Sequence, residues 1–251
     1  MKDTVERFSD RVANYVKWRP GYPPEVLDVF REKMGLDGES VIADLGSGTG
    51  LSAKLFLEHG NVVFGVEPNA AMREAAEEFL AGYARFASVN GTAQATTLDE
   101  SSVNFVIAAQ AFHWFDRAAA AEECRRILKQ GGYVALIWNE RELTTTPFLI
   151  GYEKLLTKFG TDYESVRHEN IDSASLADFF GKVPEHASAR NVQAFDLDGI
   201  TGRLLSSSYT PAVGHPSFEP MLEELGSLFA KHAENGRIKV FYTTNIFYSR
   251  L

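Results

Sequence analysis

The sequence predicts an α/β fold, a mostly parallel β-sheet with helices on both faces. Two observations point there. Short apolar runs alternate with helix-length segments from Val41 to Trp138, a rhythm that implies right-handed βαβ units. The first of these runs also opens directly into a glycine-rich turn, Gly46-Ser47-Gly48-Thr49-Gly50, before a helical stretch.

Each element has its own reason. Tyr15 to Pro24 is an aromatic, proline-rich lead-in. A helix should follow, with Pro24 in its first turn and Val26, Leu27, Phe30 and Met34 on one face. Val41 to Leu45 is a short apolar run suited to a buried parallel strand. Leu51 to His59 reads as helix, stopped by Gly60. Val62 to Val66 is the next strand and ends in Glu67-Pro68. Ala70 to Ala81, rich in Ala, Glu and Met, is a strong helix former. Ala84 to Val89 is a weaker strand, and Val103 to Ala109 is a buried one. Arg117 to Leu128 is helical, closed by Gly131-Gly132, and Tyr133 to Trp138 is a fifth strand.

The rhythm changes after Asn139. Phe148, Leu149, Tyr152, Leu155, Leu156 and Phe159 share one helical face, Asp162 to Ala174 is polar, and Ser175 to Phe180 reads as a short helix. Residues 141–186 are expected to be an inserted cover within a single domain spanning 1–251. Sheet order returns with Val192 to Leu197 and Ile238 to Phe247, separated by a long helix from Phe218 to His232.

Composition narrows the function classes. With 251 residues, 45% of them hydrophobic and 24% charged, the chain can bury a sizeable core. Lys plus Arg is 25 and Asp plus Glu is 34, a net charge of −9. That balance argues against a nucleic-acid partner, whose binding rests on neutralising phosphates. Cys124 is the single cysteine, so neither an intrachain disulfide nor a multi-cysteine zinc site is possible. It falls in the helix before the fifth strand and reads as core. Phe105 to Phe115 is the longest apolar stretch, interrupted by Gln110 and His113, and far short of the roughly 20 residues of a membrane helix. The N-terminus alternates charge and lacks the apolar core of a signal peptide, so the expected compartment is the cytoplasm.

The strongest chemical signal is Asp44-Leu45-Gly46-Ser47-Gly48-Thr49-Gly50. Glycines let the backbone turn tightly and approach a ligand. Ligands of open parallel sheets bind at the C-terminal ends of strands, near the switch in strand order. Glu67 ends the second strand, where a carboxylate can accept two hydrogen bonds from ribose hydroxyls. A nicotinamide fingerprint would need glycine at Leu51, and the third glycine here is Gly50 instead.

These residues carry a resemblance. Val41 to Gly50 resembles the first motif of the class I S-adenosylmethionine-dependent methyltransferases, and Phe64 to Asn69 resembles the second. Arg126 to Tyr133 is similar to the stretch leading into that family's fifth strand. A narrower resemblance, to trans-aconitate methyltransferase-like proteins of the small-molecule branch, rests on Arg19 to Pro23, Gln110 to Asp116 and Leu205 to Pro211. The family resemblance implies a Rossmann-like three-layer sandwich of seven strands, the last one antiparallel. It also implies S-adenosylmethionine as cofactor, S-adenosylhomocysteine as product, and a small-molecule acceptor, with a carboxylic acid suggested by the narrower branch.

Carried over by position, Gly46, Ser47, Gly48 and Gly50 would line the methionyl part of the cofactor, and Asp44 would reach its amino group. Glu67 would bind the ribose, and Pro68 or Met72 would flank the adenine. Many relatives carry an acid after the third strand, for the adenine amine. This chain reads Asn90-Gly91-Thr92-Ala93-Gln94 there, so Thr92, Gln94 or backbone groups near Ala93 would substitute.

Methyl transfer from a sulfonium is an in-line displacement, in which orientation alone can be worth about 7–11 kcal/mol. No metal or covalent intermediate is needed. Gln110 to Trp114 follows the fourth strand and should lie beside the transferring methyl group. His113 is the candidate general base, since an unperturbed pKa of about 6.5 suits proton removal near neutrality. A carboxylate acceptor would be ionised already and leave His113 to hydrogen bonding or packing. Tyr15, Trp18, Arg19 and Tyr22 are candidates for an N-terminal lid, with Arg19 suited to a carboxylate. Trp114, Trp138 and Arg141 are further candidates to contact the acceptor, while Arg167-His168-Glu169 reads as a solvated charge run. Two rival readings stay open, an NAD-dependent oxidoreductase and a non-catalytic S-adenosylmethionine-binding module.

Overall fold

A computed structural model describes residues 17–161, 163 and 173–251. The readings of Tyr15 and of Arg167-His168-Glu169 lie outside these residues.

Helix α1 (Glu25–Met34) buries Val26, Phe30 and Met34 and ends at Gly35 in the left-handed region. Strand β1 (Val41–Leu45) leads through the glycine turn into α2 (Leu51–Glu58). Strand β2 (Val62–Val66) and α3 (Ala70–Phe79) follow, the helix capped by the Asn69 side chain. Then come β3 (Phe86–Val89), β4 (Val103–Ala109), a single 3₁₀ turn at Phe112–Trp114, and α4 (Arg117–Ile127). Strand β5 (Leu128–Arg141), α5 (Pro147–Phe159), α6 (Ser173–Phe180) and β6 (Glu185–Phe195) come next. Last are α7 (Leu197–Leu205), α8 (Phe218–His232) and β7 (Ile238–Arg250).

The strands form one sheet in the order β3-β2-β1-β4-β5-β7-β6. Strands β1 to β5 pair in parallel, and the last strands run antiparallel. The direction of strand order reverses between β1 and β4, which makes the C-terminal ends of those two strands the place for a ligand.

Three expectations need correction. Strand β5 starts at Leu128 rather than Tyr133, so Gly131-Gly132 lie inside the strand instead of closing a helix. The β4–β5 register shifts between Val103 and Phe105, and this irregularity absorbs the glycines. Strand β6 runs from Glu185 to Phe195 rather than Val192 to Leu197, and Leu197 instead opens α7, a helix the periodicity did not predict.

By internal contacts the chain forms two compact units. The glycine-loop unit gathers the described residues within Gly21–Asn139, Ile171–Ala189 and Thr244–Leu251. The second gathers those within Met1–Pro20, Glu140–Asn170 and Arg190–Thr243. Of the segment 141–186, residues up to Tyr163 fall in the second unit and those from Ser173 in the first.

Strand alternation splits the core of the glycine-loop unit into two layers. Ala43 and Leu45 of β1 join Val134, Leu136 and Trp138 of β5 under α4 and α6. Ile42 of β1 joins Phe105 and Ile107 of β4 and Ala135 and Ile137 of β5 under α1 and α2. There Phe30 meets Phe56 edge-on at 5.0 Å and Phe105 at 5.7 Å. The second unit has its own core, with Leu149, Leu155, Ile200, Leu204, Leu225 and Tyr242 among its buried members.

Candidate cofactor and active site

Within the glycine-loop unit, the turn after β1 is held in a shape that favours glycine. Gly46, Gly48 and Gly50 have φ of 66°, 55° and 83°, in the left-handed region. A Cβ on Gly46 would fall 2.6 Å from that of Ala111, so this turn and the segment after β4 are in close approach. Around Gly48 there is open space within 4 Å of such a Cβ. The amides of Gly46 and Ser47 both donate to the Val66 carbonyl, at 2.8 and 3.2 Å.

Two carboxylates flank the turn. Asp44 is fully buried, and its Oδ2 accepts from Ser52 Oγ at 2.5 Å. Its Oδ1 is buried with no hydrogen-bond partner. Burial pushes the Asp44 carboxyl up to about 7, opposed by the Ser52 bond and reinforced by the charge of Glu67. Glu67 accepts from the Gly48 amide at 3.0 Å through Oε2 and from the Asn69 amide at 2.9 Å through Oε1. Burial raises its pKa above the ordinary range, against those two amide bonds. Asp44 with a vacant oxygen suits a cationic group, and Glu67 keeps lone pairs for hydroxyl donors. These donors and acceptors, beside a turn with room at Gly48, fit the nucleoside and amino-acid ends of S-adenosylmethionine.

Other expected residues in this unit are placed as follows. Pro68 is exposed beside Glu67, and Met72 is buried with its amide on Asn69 Oδ1 at 3.2 Å. Thr92 is exposed and exchanges backbone bonds with Ala95, while Ala93 is buried. Gln110 holds a left-handed φ of 57°, unusual for a side-chain-bearing residue and a form of strain that gathers at functional sites. Its Nε2 donates to the Asn139 carbonyl at 3.1 Å, and its Oε1 is buried without a partner. His113 lies in the 3₁₀ turn with its ring 4.5 Å from that of Trp114, which is 43% exposed. Trp138 is buried between Phe112 and Phe247, and its indole Nε1 has no partner. Tyr22 packs against the α1–α2 core layer.

Arg19 and Arg141 belong to the second unit. Arg19 donates to the Ser206 carbonyl at 3.0 Å. Arg141 pairs with Glu153, donates to Tyr163 Oη at 3.0 Å, and stacks 5.1 Å over the Tyr152 ring. The structure therefore gathers the cofactor candidates and His113, Trp114, Trp138 and Tyr22 in one unit, and Arg19 and Arg141 in the other.

Sequence reasoning missed Ser52 and Arg203, while Asn139 belongs to the stretch Trp138-Asn139-Glu140-Arg141 that the sequence places after the fifth strand facing the acceptor. Asn139 accepts from Thr244 Oγ1 at 2.6 Å and donates to the Gly21 carbonyl at 3.0 Å, so it pins the end of β5. Arg203 is buried on the same face of α7 as Ile200 and Leu204. A charged residue at apolar spacing was the signal that could have found it. Among the described residues, no group of three or more His, Cys, Asp or Glu converges as a metal site.

Comparisons with known proteins identify the family. The family described as "Methyltransferase domain" matches residues 43–136, the stretch that holds both carboxylates and the glycine turn. An uncharacterized methyltransferase of Mycobacterium tuberculosis is 32% identical over 186 residues, 74% of this chain and 70% of that protein. A methyltransferase-like protein of Schizosaccharomyces pombe is 31% identical over 165 residues, 64% of this chain, and the match spans only 62% of that protein. A solved structure from Anaeromyxobacter dehalogenans, assigned as a type II methyltransferase, shares the fold. Its TM-score is 0.70 at 19% identity, over 93% of this chain and 98% of that one. The nicotinamide reading, already lacking its third glycine, finds no support in these matches. The chain belongs to the class I S-adenosylmethionine-dependent methyltransferases.

Proposed function

We propose that this chain transfers a methyl group from S-adenosylmethionine to a small molecule in the cytoplasm, with a carboxylate oxygen as acceptor. The observation that carries the cofactor half is the pair of carboxylates around the glycine turn, Asp44 fully buried with an unbonded oxygen and Glu67 half-buried and held by the Gly48 amide. The carboxylate acceptor rests on the resemblance of Arg19 to Pro23, Gln110 to Asp116 and Leu205 to Pro211 to trans-aconitate methyltransferase-like proteins.

When bound, the sulfonium supplies an activated methyl group. Asp44 then holds the amino group, Glu67 accepts from the ribose, and Gly46, Ser47, Gly48 and Gly50 give backbone contact. Pro68 and Met72 flank the base, Thr92 and Ala93 border its edge, and Gln110 closes the segment after β4. His113, Trp114, Trp138 and Tyr22 serve the acceptor. A carboxylate is ionised at neutral pH, so His113 acts by hydrogen bonding and orientation rather than as a base.

The decisive experiment incubates the protein with methyl-labelled S-adenosylmethionine and a cell extract, then finds the label by mass spectrometry. The expected product is a methyl ester of a small organic acid. A labelled amine or carbon centre would overturn the carboxylate acceptor. A folded protein with no calorimetric affinity for S-adenosylhomocysteine would overturn the whole reading.

A further inference from the structure

The second unit contains a buried positive charge that the described side chains leave uncompensated. Arg203 is 8% exposed. Its Nε donates to Tyr242 Oη at 3.4 Å and its Nη1 to Ser207 Oγ at 3.2 Å. Both acceptors are neutral hydroxyls. Among the described residues no carboxylate lies within ion-pair distance of it, and its Nη2 makes no hydrogen bond.

A second guanidinium, that of Arg141, stacks 5.1 Å over the Tyr152 ring. Arg141 has Glu153 as its partner through Nη2, while its Nη1 is buried and unbonded. The Tyr152 phenol is within electrostatic reach of both guanidiniums and of the phenols of Tyr209 and Tyr242. Burial holds the Tyr152 phenol well above its ordinary pKa, so it stays a neutral O–H donor, and that hydroxyl makes no hydrogen bond among the described residues.

A guanidinium taken out of water without a counter-charge is strongly disfavoured. Two of them sharing one phenol, with one carboxylate between them, leave a surplus positive charge and three idle donors. An anion removes both defects. The planar fork of arginine matches a carboxylate, and the aromatic surroundings suit an organic acid better than a strongly hydrated inorganic ion.

We propose that Arg203, with Arg141 and the Tyr152 hydroxyl, forms a binding site for the carboxylate of a small organic acid. The binding does not depend on the function proposed above. The site also gives a physical reason for Arg203, a residue no motif pointed to.

The test is calorimetric titration of the full chain with acetate, succinate and citrate, with dimethyl succinate and inorganic phosphate alongside. At least one carboxylate should bind saturably, and the neutral ester should not. Arg203→Gln should weaken that binding at least tenfold and leave S-adenosylhomocysteine affinity unchanged. Should Arg203→Gln fail to fold by circular dichroism, Tyr152→Phe keeps the packing shape and should weaken the acid several-fold. Absence of carboxylate binding, equal binding of the ester, or phosphate binding as tight as any carboxylate would overturn the proposal. S-adenosylhomocysteine binding without acid binding would sink this site alone. Acid binding without S-adenosylhomocysteine binding would sink the methyltransferase reading alone.

Discussion

At the scale of single residues, the chemistry around the glycine turn is set by what each carboxylate lacks. Glu67 already accepts two backbone amides, which orient it before any ligand arrives. Removing it should weaken S-adenosylhomocysteine binding by about 1.5–3 kcal/mol, the range for hydrogen bonds to a charged group. Calorimetry on Glu67→Ala checks this, and an unchanged affinity would move the ribose elsewhere. Asp44 differs in having one oxygen with no partner. A cation placed there should favour the ionised form, so ligand binding near pH 7 should release a proton. The apparent binding enthalpy would then vary with the ionisation enthalpy of the buffer. Asp44→Asn should abolish that variation. Both carboxylates and the glycines were legible in the sequence because their spacing is dictated by a tight turn at a strand end. Arg203 was not, because its role depends on side chains from α5, α7 and β7 that are distant in sequence.

At the scale of elements, legibility followed the strength of the periodic signal. Strands β1, β2 and β4 are short apolar runs, largely buried, and their limits agree with the reading of the sequence. The limits of α8 agree too. Strand β6 lies at the sheet edge, with only Ala189 and Phe195 buried along it, so its apolar pattern is thin. Helix α7 was hidden by Gly199 and Gly202, both poor helix formers. Gly202 has a packing reason: a Cβ there would fall 2.1 Å from Trp18 Nε1. Gly202→Ala should therefore destabilise the chain by about 1–3 kcal/mol despite its better helix propensity. Urea unfolding measures the loss. In the double variant with Trp18→Ala the loss should be less than the sum of the two singles, since the clash is gone. Additive losses would show that Trp18 is not what Gly202 accommodates.

At the scale of the whole molecule, two buried acids pull the pH dependence of stability in opposite directions. Asp44 goes from an ordinary 3.8 to about 7 on folding. Its contribution is therefore fully present below pH 3.8 and lost as pH rises through about 7. Glu123 is held down to about 2 by Arg126, with help from Thr96. Its contribution is present above pH 4.5 and lost as pH falls towards 2. The ligand-free chain should accordingly lose stability relative to Asp44→Asn between about pH 4 and 7, with the loss levelling off above that. Denaturant titrations at several pH values would reveal this, and parallel curves for the two proteins would refute it. One further consequence lies in Cys124. It is 1% exposed in the core layer that also holds Leu45 at the glycine turn, and burial pushes its thiol up to about 12. The folded chain should thus be inert to iodoacetamide, because the thiolate is the attacking species. Alkylation proceeds only when that layer opens, so its rate is a clock for breathing of the core, with no label to be engineered. Saturating S-adenosylhomocysteine should slow the clock, and rapid alkylation of the native chain would mean that α4 lifts off the sheet on its own.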